Sequence, residues 1–148
     1  MSFTQSNKIK KIKLSKKSII ETLNEILNLK INRLIISNSR NDSFFQFVII
    51  DKVNFFLDFP DYPTNGNSKK AEFMLKVLFS HSFKLVKKAA YSTSLKEKEF
   101  IQEISGDNIL IQANCGSNKN FLSELIEFLA KKVLILMSQD LLEVEYID

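Results

Sequence analysis

Two residues in this sequence could supply nucleophilic chemistry, and they stand well apart in the chain. Cys115 lies in Asn114-Cys115-Gly116-Ser117 and His81 in Phe79-Ser80-His81-Ser82-Phe83; each is the sole residue of its type among 148. A thiol just ahead of a helix can be acidified by backbone amides and the helix dipole. Attack also needs a base, and one imidazole is on offer. The plainer reading of Cys115 is a small residue ending a strand beside a glycine turn. His81 reads as a residue at the C-terminal end of a helix, where a partly charged imidazole is favourable. One histidine among scattered carboxylates is a poor zinc set. Asp51, Asp58 and Asp61 lack the spacing and glycine of a calcium loop and read as strand-end and turn residues. With three glycines in the chain there is little from which to build a phosphate-cradling loop. The expectation is no enzyme, no cofactor, no metal and no small-molecule substrate, with a thiol enzyme using Cys115 as the least favoured alternative.

Charge is more informative than these groups. The formal net charge is +4 and the pI about 9.1. Residues 1–20 hold six lysines (Lys8, Lys10, Lys11, Lys13, Lys16 and Lys17) and no acid, while the rest of the chain holds 15 basic and 17 acidic residues. The last ten residues carry Asp140, Glu143, Glu145 and Asp148 and no base. The expected organisation is a flexible basic tail over 1–15, a single domain over 16–139 and an acidic tail over 140–148. The lysines of the head form a candidate anion-binding tail, through which nucleic acid or an anionic membrane surface could be held. No aromatic interleaves them to stack on bases, and arginine is absent from the run.

The elements that must position these residues follow from periodicity. Ser18-Ile19-Ile20-Glu21 has the form of a capping box, and Ile19, Leu23, Ile26 and Leu27 share a helical face, so a helix is predicted from about Lys16 to Leu29. Strands are predicted over Ile31–Ser37, Ser43–Ile50 and Val53–Phe59, linked by turns at 38–42 and Asp51-Lys52. Residues 60–67 hold both prolines and read as a loop. A second helix is predicted over Ser68–Ser80 with Ala71, Met74, Leu75 and Leu78 inward. Phe83, Leu85, Ala89 and Tyr91 suggest a strand, and 98–104 with 108–114 a hairpin turning at Gly106-Asp107. A long helix over 118–139 completes an α+β fold: an antiparallel sheet of five or six strands with three helices, in the order α-β-β-β-α-β-β(-β)-α.

The final helix is apolar beyond a single stripe, because Val133-Leu134-Ile135-Leu136-Met137 is greasy all round. Phe121, Leu125, Phe128, Leu134 and Ile135 form the candidate partner or dimer surface. The run Phe121–Met137 is broken by Glu124, Glu127, Lys131 and Lys132, which makes it unsuited to spanning a bilayer. Without a secretory signal or a second cysteine, a cytoplasmic protein is expected.

Asn54-Phe55-Phe56-Leu57-Asp58-Phe59 resembles the third-strand position of the type III secretion chaperone-like fold, which includes the YbjN-like proteins. Ala71-Glu72-Phe73-Met74 is similar to the start of its following helix, and Asn120-Phe121-Leu122 to the opening of its last one. The resemblance covers most of residues 16–138. It implies a twisted antiparallel sheet packed against helices, dimerisation, and polypeptide binding without catalysis. The expected function is therefore a chaperone-like or adaptor-like domain that binds a protein partner, with a homodimer as one form of that contact.

Overall fold

A computed structural model describes residues 8–29, 31–38, 43–50, 54–59, 68–87, 95–105, 108–137 and 139–147, with the backbone alone at 68–71, 104–105 and 108. Ser15 opens the first helix. Its backbone is extended and its side chain accepts a hydrogen bond from the Ser18 amide at 3.2 Å, so α1 spans Lys16–Leu27. The cap therefore sits three residues before the Ser18 expected from sequence, because the chain has already turned where the Ser15 amide donates to the Lys13 carbonyl at 2.9 Å. The second helix, α2, spans Ser68–Ser80 as predicted. The third, α3, is capped by the Asn118 side chain and covers Lys119–Lys132, seven residues shorter than expected at its end.

Eight strands form one sheet: β1 Lys8–Lys13, β2 Arg33–Asn38, β3 Ser43–Ile50, β4 Asn54–Phe59, β5 Lys84–Leu85, β6 Glu99–Ser105, β7 Asn108–Asn114 and β8 Leu141–Ile147. Their order is β1-β8-β2-β3-β4-β7-β6-β5. Every neighbouring pair is antiparallel except β5 with β6, which is parallel. The fold is α+β, and the expected count of five or six antiparallel strands is corrected to eight in a mixed sheet. The two unforeseen strands are β1 and β8. They arise from the segments expected to be a basic and an acidic tail, and they lie side by side. The turn at Asp51-Lys52, the loop 60–67, Ala71's side chain, Ala89, Tyr91 and the turn at Gly106-Asp107 lie outside the described residues.

Strand alternation sorts the side chains onto two faces. Toward the helices point Leu34 and Ile36, Phe45, Phe47 and Ile49, Phe55, Leu57 and Phe59, Ile111 and Ala113, and Leu142, Val144 and Tyr146, all buried in one cluster with Ile19, Leu23, Ile26, Leu122, Leu125, Ile126 and Leu129. Phe47 meets Phe45 and Phe55 edge-on, with ring centroids 6.0 and 6.1 Å apart, a geometry worth about 0.5–1.5 kcal/mol per pair beyond the area buried.

The register of β8 can be checked one residue at a time. Leu142 is fully buried and Leu141 half exposed. Leu142→Ala is expected to cost about 2–5 kcal/mol in urea denaturation, and Leu141→Ala less than about 0.5 kcal/mol. Equal losses at the two positions would contradict the placement of this strand.

Candidate functional site

The lysines expected to form a mobile anion-binding tail divide by face. Lys8, Lys10 and Ile12 stand opposite Tyr146, Val144 and Leu142 of β8 on the helix side; Ile9, Lys11 and Lys13 stand opposite Glu145, Glu143 and Leu141 on the other. The helix-side pair shares one carboxylate. Lys8 Nζ lies 2.8 Å from Glu25 Oε1 and Lys10 Nζ 2.7 Å from Oε2, clamping β1 to α1. Hydrogen bonds from Lys10, and then from Lys8, hold the Glu25 carboxyl below its ordinary pKa. The Lys8 ammonium also stands 5.9 Å from the centroid of the Tyr146 ring. Lys16 pairs with Glu124 at 3.3 Å. Lys11, Lys13 and Lys17 are exposed and, among the described residues, make no ion pair. The six lysines thus stand on a strand and on the first turn of a helix.

The expected surface on α3 is not one surface. Leu125 and Leu134 are fully buried, Phe121 is partly buried, and Phe128 and Ile135 are 42% and 60% exposed. The cause is the early end of the helix. Val133 and Leu134 both donate their amides to the Leu129 carbonyl, at 2.7 and 3.2 Å, and the chain then reverses through Ile135 at φ 56°. Leu134 turns into the core, its carbonyl accepting from Asn38 Nδ2 at 2.8 Å. The apolar run is a crossing into β8 that buries Val133, Leu134 and Leu136 and leaves Ile135 and Met137 exposed.

Cys115 and His81 do not form a reactive pair. Cys115 is fully buried, and burial pushes its thiol up to about 12, away from the thiolate form. Its Sγ lies 3.8 Å from the Ala113 carbonyl. Gly116 beside it has φ 68°, a backbone that favours glycine, and a Cβ there would run into the Glu97 carboxylate. His81 follows the last residue of α2, as expected. Its Nδ1 lies 2.8 Å from the Val77 carbonyl, which can only accept, so this nitrogen carries a proton. The ring stands edge-on to Phe121 and Phe128 at 5.9 and 5.8 Å. Lys98 completes this cluster by donating to the His81 carbonyl at 2.8 Å, with its ammonium 3.7 Å from the Phe121 ring centroid. Among the described residues no hydrogen bond joins the imidazole to the thiol, and no group of three or more His, Cys, Asp or Glu side chains could hold a metal.

A polar row that sequence reasoning missed crosses the middle of the sheet on the face away from the helices. Gln46, Asp58 and Gln112 stand opposite one another on β3, β4 and β7. Asp58 is 6% exposed; its Oδ2 accepts from Gln46 Nε2 at 2.7 Å, and among the described residues its Oδ1 has no hydrogen-bond partner. Burial raises its pKa, against smaller opposing effects of Gln46, Gln112 and Arg33. The sequence showed only that Asp58 falls on the polar side of β4. Its register between two glutamines depends on strands that are distant in the chain.

No protein-family model, curated protein or solved structure matches the chain. Among the described residues no helix is long and apolar enough to cross a membrane.

The raised pKa of Asp58 fixes the sign of a pH effect. A carboxyl that keeps its proton in the fold above the ordinary value of 3.8 favours the folded state at low pH, and that contribution is lost as the pH climbs through the folded pKa. Asp58→Asn has no proton to lose. Its melting temperature relative to wild type is expected to rise between about pH 4 and about pH 7, as followed by circular dichroism. A relative melting temperature that falls over this range would contradict the assignment.

Proposed function

We propose that the chain is a non-catalytic polypeptide-binding protein of the chaperone or adaptor kind, and that it holds an extended segment along the outer side of β1. The observation that carries this reading is the position of that strand. It is six residues long, it ends an eight-stranded sheet, and among the described residues nothing pairs with its far side. Such a side presents a row of backbone donors and acceptors that an extended chain can satisfy by adding a strand. The opposite end of the sheet is β5, only two residues long, which offers much less ladder. Two further facts support binding over catalysis: the thiol is sealed and strongly protonated, and the imidazole is packed between aromatic rings.

The clamp of Glu25 on Lys8 and Lys10 supports a role for β1 as a fixed platform. A preorganised strand spends less conformational entropy on pairing than a tail that must first order itself.

The test is a panel of labelled extended peptides of varied charge, titrated into isotope-labelled protein. Saturable binding is expected, with amide shift changes concentrated in residues 8–13 and the peptides recovered intact. Shifts confined to α3, cleavage of the peptides, or no binding across the panel would overturn the reading.

A further inference from the structure

The structure assigns to the outer side of β1 a partner of defined chemistry: an extended segment with acidic side chains at alternate positions and apolar ones between them. This inference rests on the peptide-binding reading above and names the partner that the same edge would select.

The first argument is the strand that β1 already holds. In β8, Glu143 and Glu145 point to the face away from the helices, while Leu142, Val144 and Tyr146 point into the core. β1 is therefore matched, on its inner side, by a segment in which acids alternate with apolar residues. The second argument is where positive charge remains. Glu25 is shared by Lys8 and Lys10 on the helix side, so one of those two charges is compensated, whereas Lys11 and Lys13 on the other face are exposed and both without an ion pair among the described residues. A strand added to the edge would set its alternate side chains beside those two ammonium groups. Its intervening residues would fall on the side of Lys8, Lys10 and Ile12, the last of which is only partly buried against the core.

Charge also decides against a second copy of this chain. The sheet edges it could offer among the described residues are β1, with four lysines, and β5, with two residues. Pairing β1 with β1 would set lysines against lysines, and like charges directly opposite destabilise a strand pair. Lysines on an edge guard against self-association. The same lysines turn from barrier to attraction when the incoming strand is acidic.

The probes are a synthetic peptide of residues 141–147 and its counterpart carrying E143K and E145K, measured by fluorescence anisotropy against the full chain. At about 50 mM salt the acidic peptide is expected to bind about tenfold more tightly or better, and at about 500 mM salt the difference is expected to shrink severalfold. Lys11→Gln/Lys13→Gln leaves β1 beside Glu143 without like-charge repulsion, and is expected to abolish the preference while a circular dichroism spectrum stays unchanged. Equal affinity of the two peptides for the wild type, or a preference that survives in the double variant, would overturn the acidic assignment and leave the peptide-binding reading standing. If no peptide of any charge binds, both fall. Binding of anionic vesicles or oligonucleotides without any peptide binding would likewise overturn both, and assign the lysines to an anionic surface.

Discussion

The strand that runs between β1 and β2 is the constraint on which the rest of the structure depends. β8 is laddered on both sides, to β1 over Leu141–Tyr146 and to β2 over Glu143–Ile147. Backbone groups satisfied on both sides make it an interior strand, and interior strands are where burial is greatest. Its inward residues, Leu142, Val144 and Tyr146, close the core over α1, where a small apolar void of about 10 Å³ remains among Ile12, Ile19, Leu34, Ile126 and their neighbours. Among the described residues β1 has no other strand to lean on. It joins the sheet through β8 and is pinned from behind by Glu25 of α1.

The route into β8 is built with equal economy. The chain leaves α3 at Lys132 and sends Val133 and Leu134 into the core. It passes Ile135 in a left-handed conformation and turns again where Asp140 bonds the Met137 amide and carbonyl, at 3.0 and 2.9 Å. A β-branched residue at positive φ is strained, and this one is held by its surroundings: the Asn38 side chain on the Leu134 carbonyl, and the Leu136 amide on the Ala130 carbonyl. The two faces of the sheet then differ in kind. One is sealed by helices over aliphatic and aromatic residues. The other carries a row in which a buried carboxyl sits between two glutamines, with hydrogen bonding that a hydrophobic replacement would not need.

Much of this fold was legible in the chain. The nearly unbroken apolar run of Ser43–Ile50, the alternation in Val53–Phe59 and the full extent of Ser68–Ser80 could be read from pattern alone, because each segment lies between clear breakers. What escaped was governed by charge. Lys8-Ile9-Lys10-Lys11-Ile12-Lys13 and Leu141-Leu142-Glu143-Val144-Glu145-Tyr146-Ile147 read as solvated tails when charge was given priority over alternation. The period-two signal was present in the second of these, with Leu142, Val144 and Tyr146 at alternate positions. Opposite charges at the two ends of a chain are mutually stabilising when the ends are neighbours, and only the pairing shows that they are. The candidate surface on α3 divides for a related reason: a run that is apolar on all sides reads as the end of one long helix, whereas the helix ends at Lys132 and the following coil buries Val133, Leu134 and Leu136 while Ile135 and Met137 stay exposed. The Asp58 row was beyond reach, since its register is set by three strands from separate parts of the chain.

The account stands or falls on whether the basic segment is a strand beside the acidic one. Native-state amide hydrogen exchange measures this directly. A strand bonded on one side only should protect alternate amides, so residues 8–13 are expected to show slow and fast amides in turn, with 143–147, where the β2 ladder runs, slow throughout. Shortening the chain after Asp140 should bring all the amides of 8–13 to the fast limit. Uniformly fast exchange across 8–13 in the full-length protein, while 143–147 stays protected, would contradict the central claim.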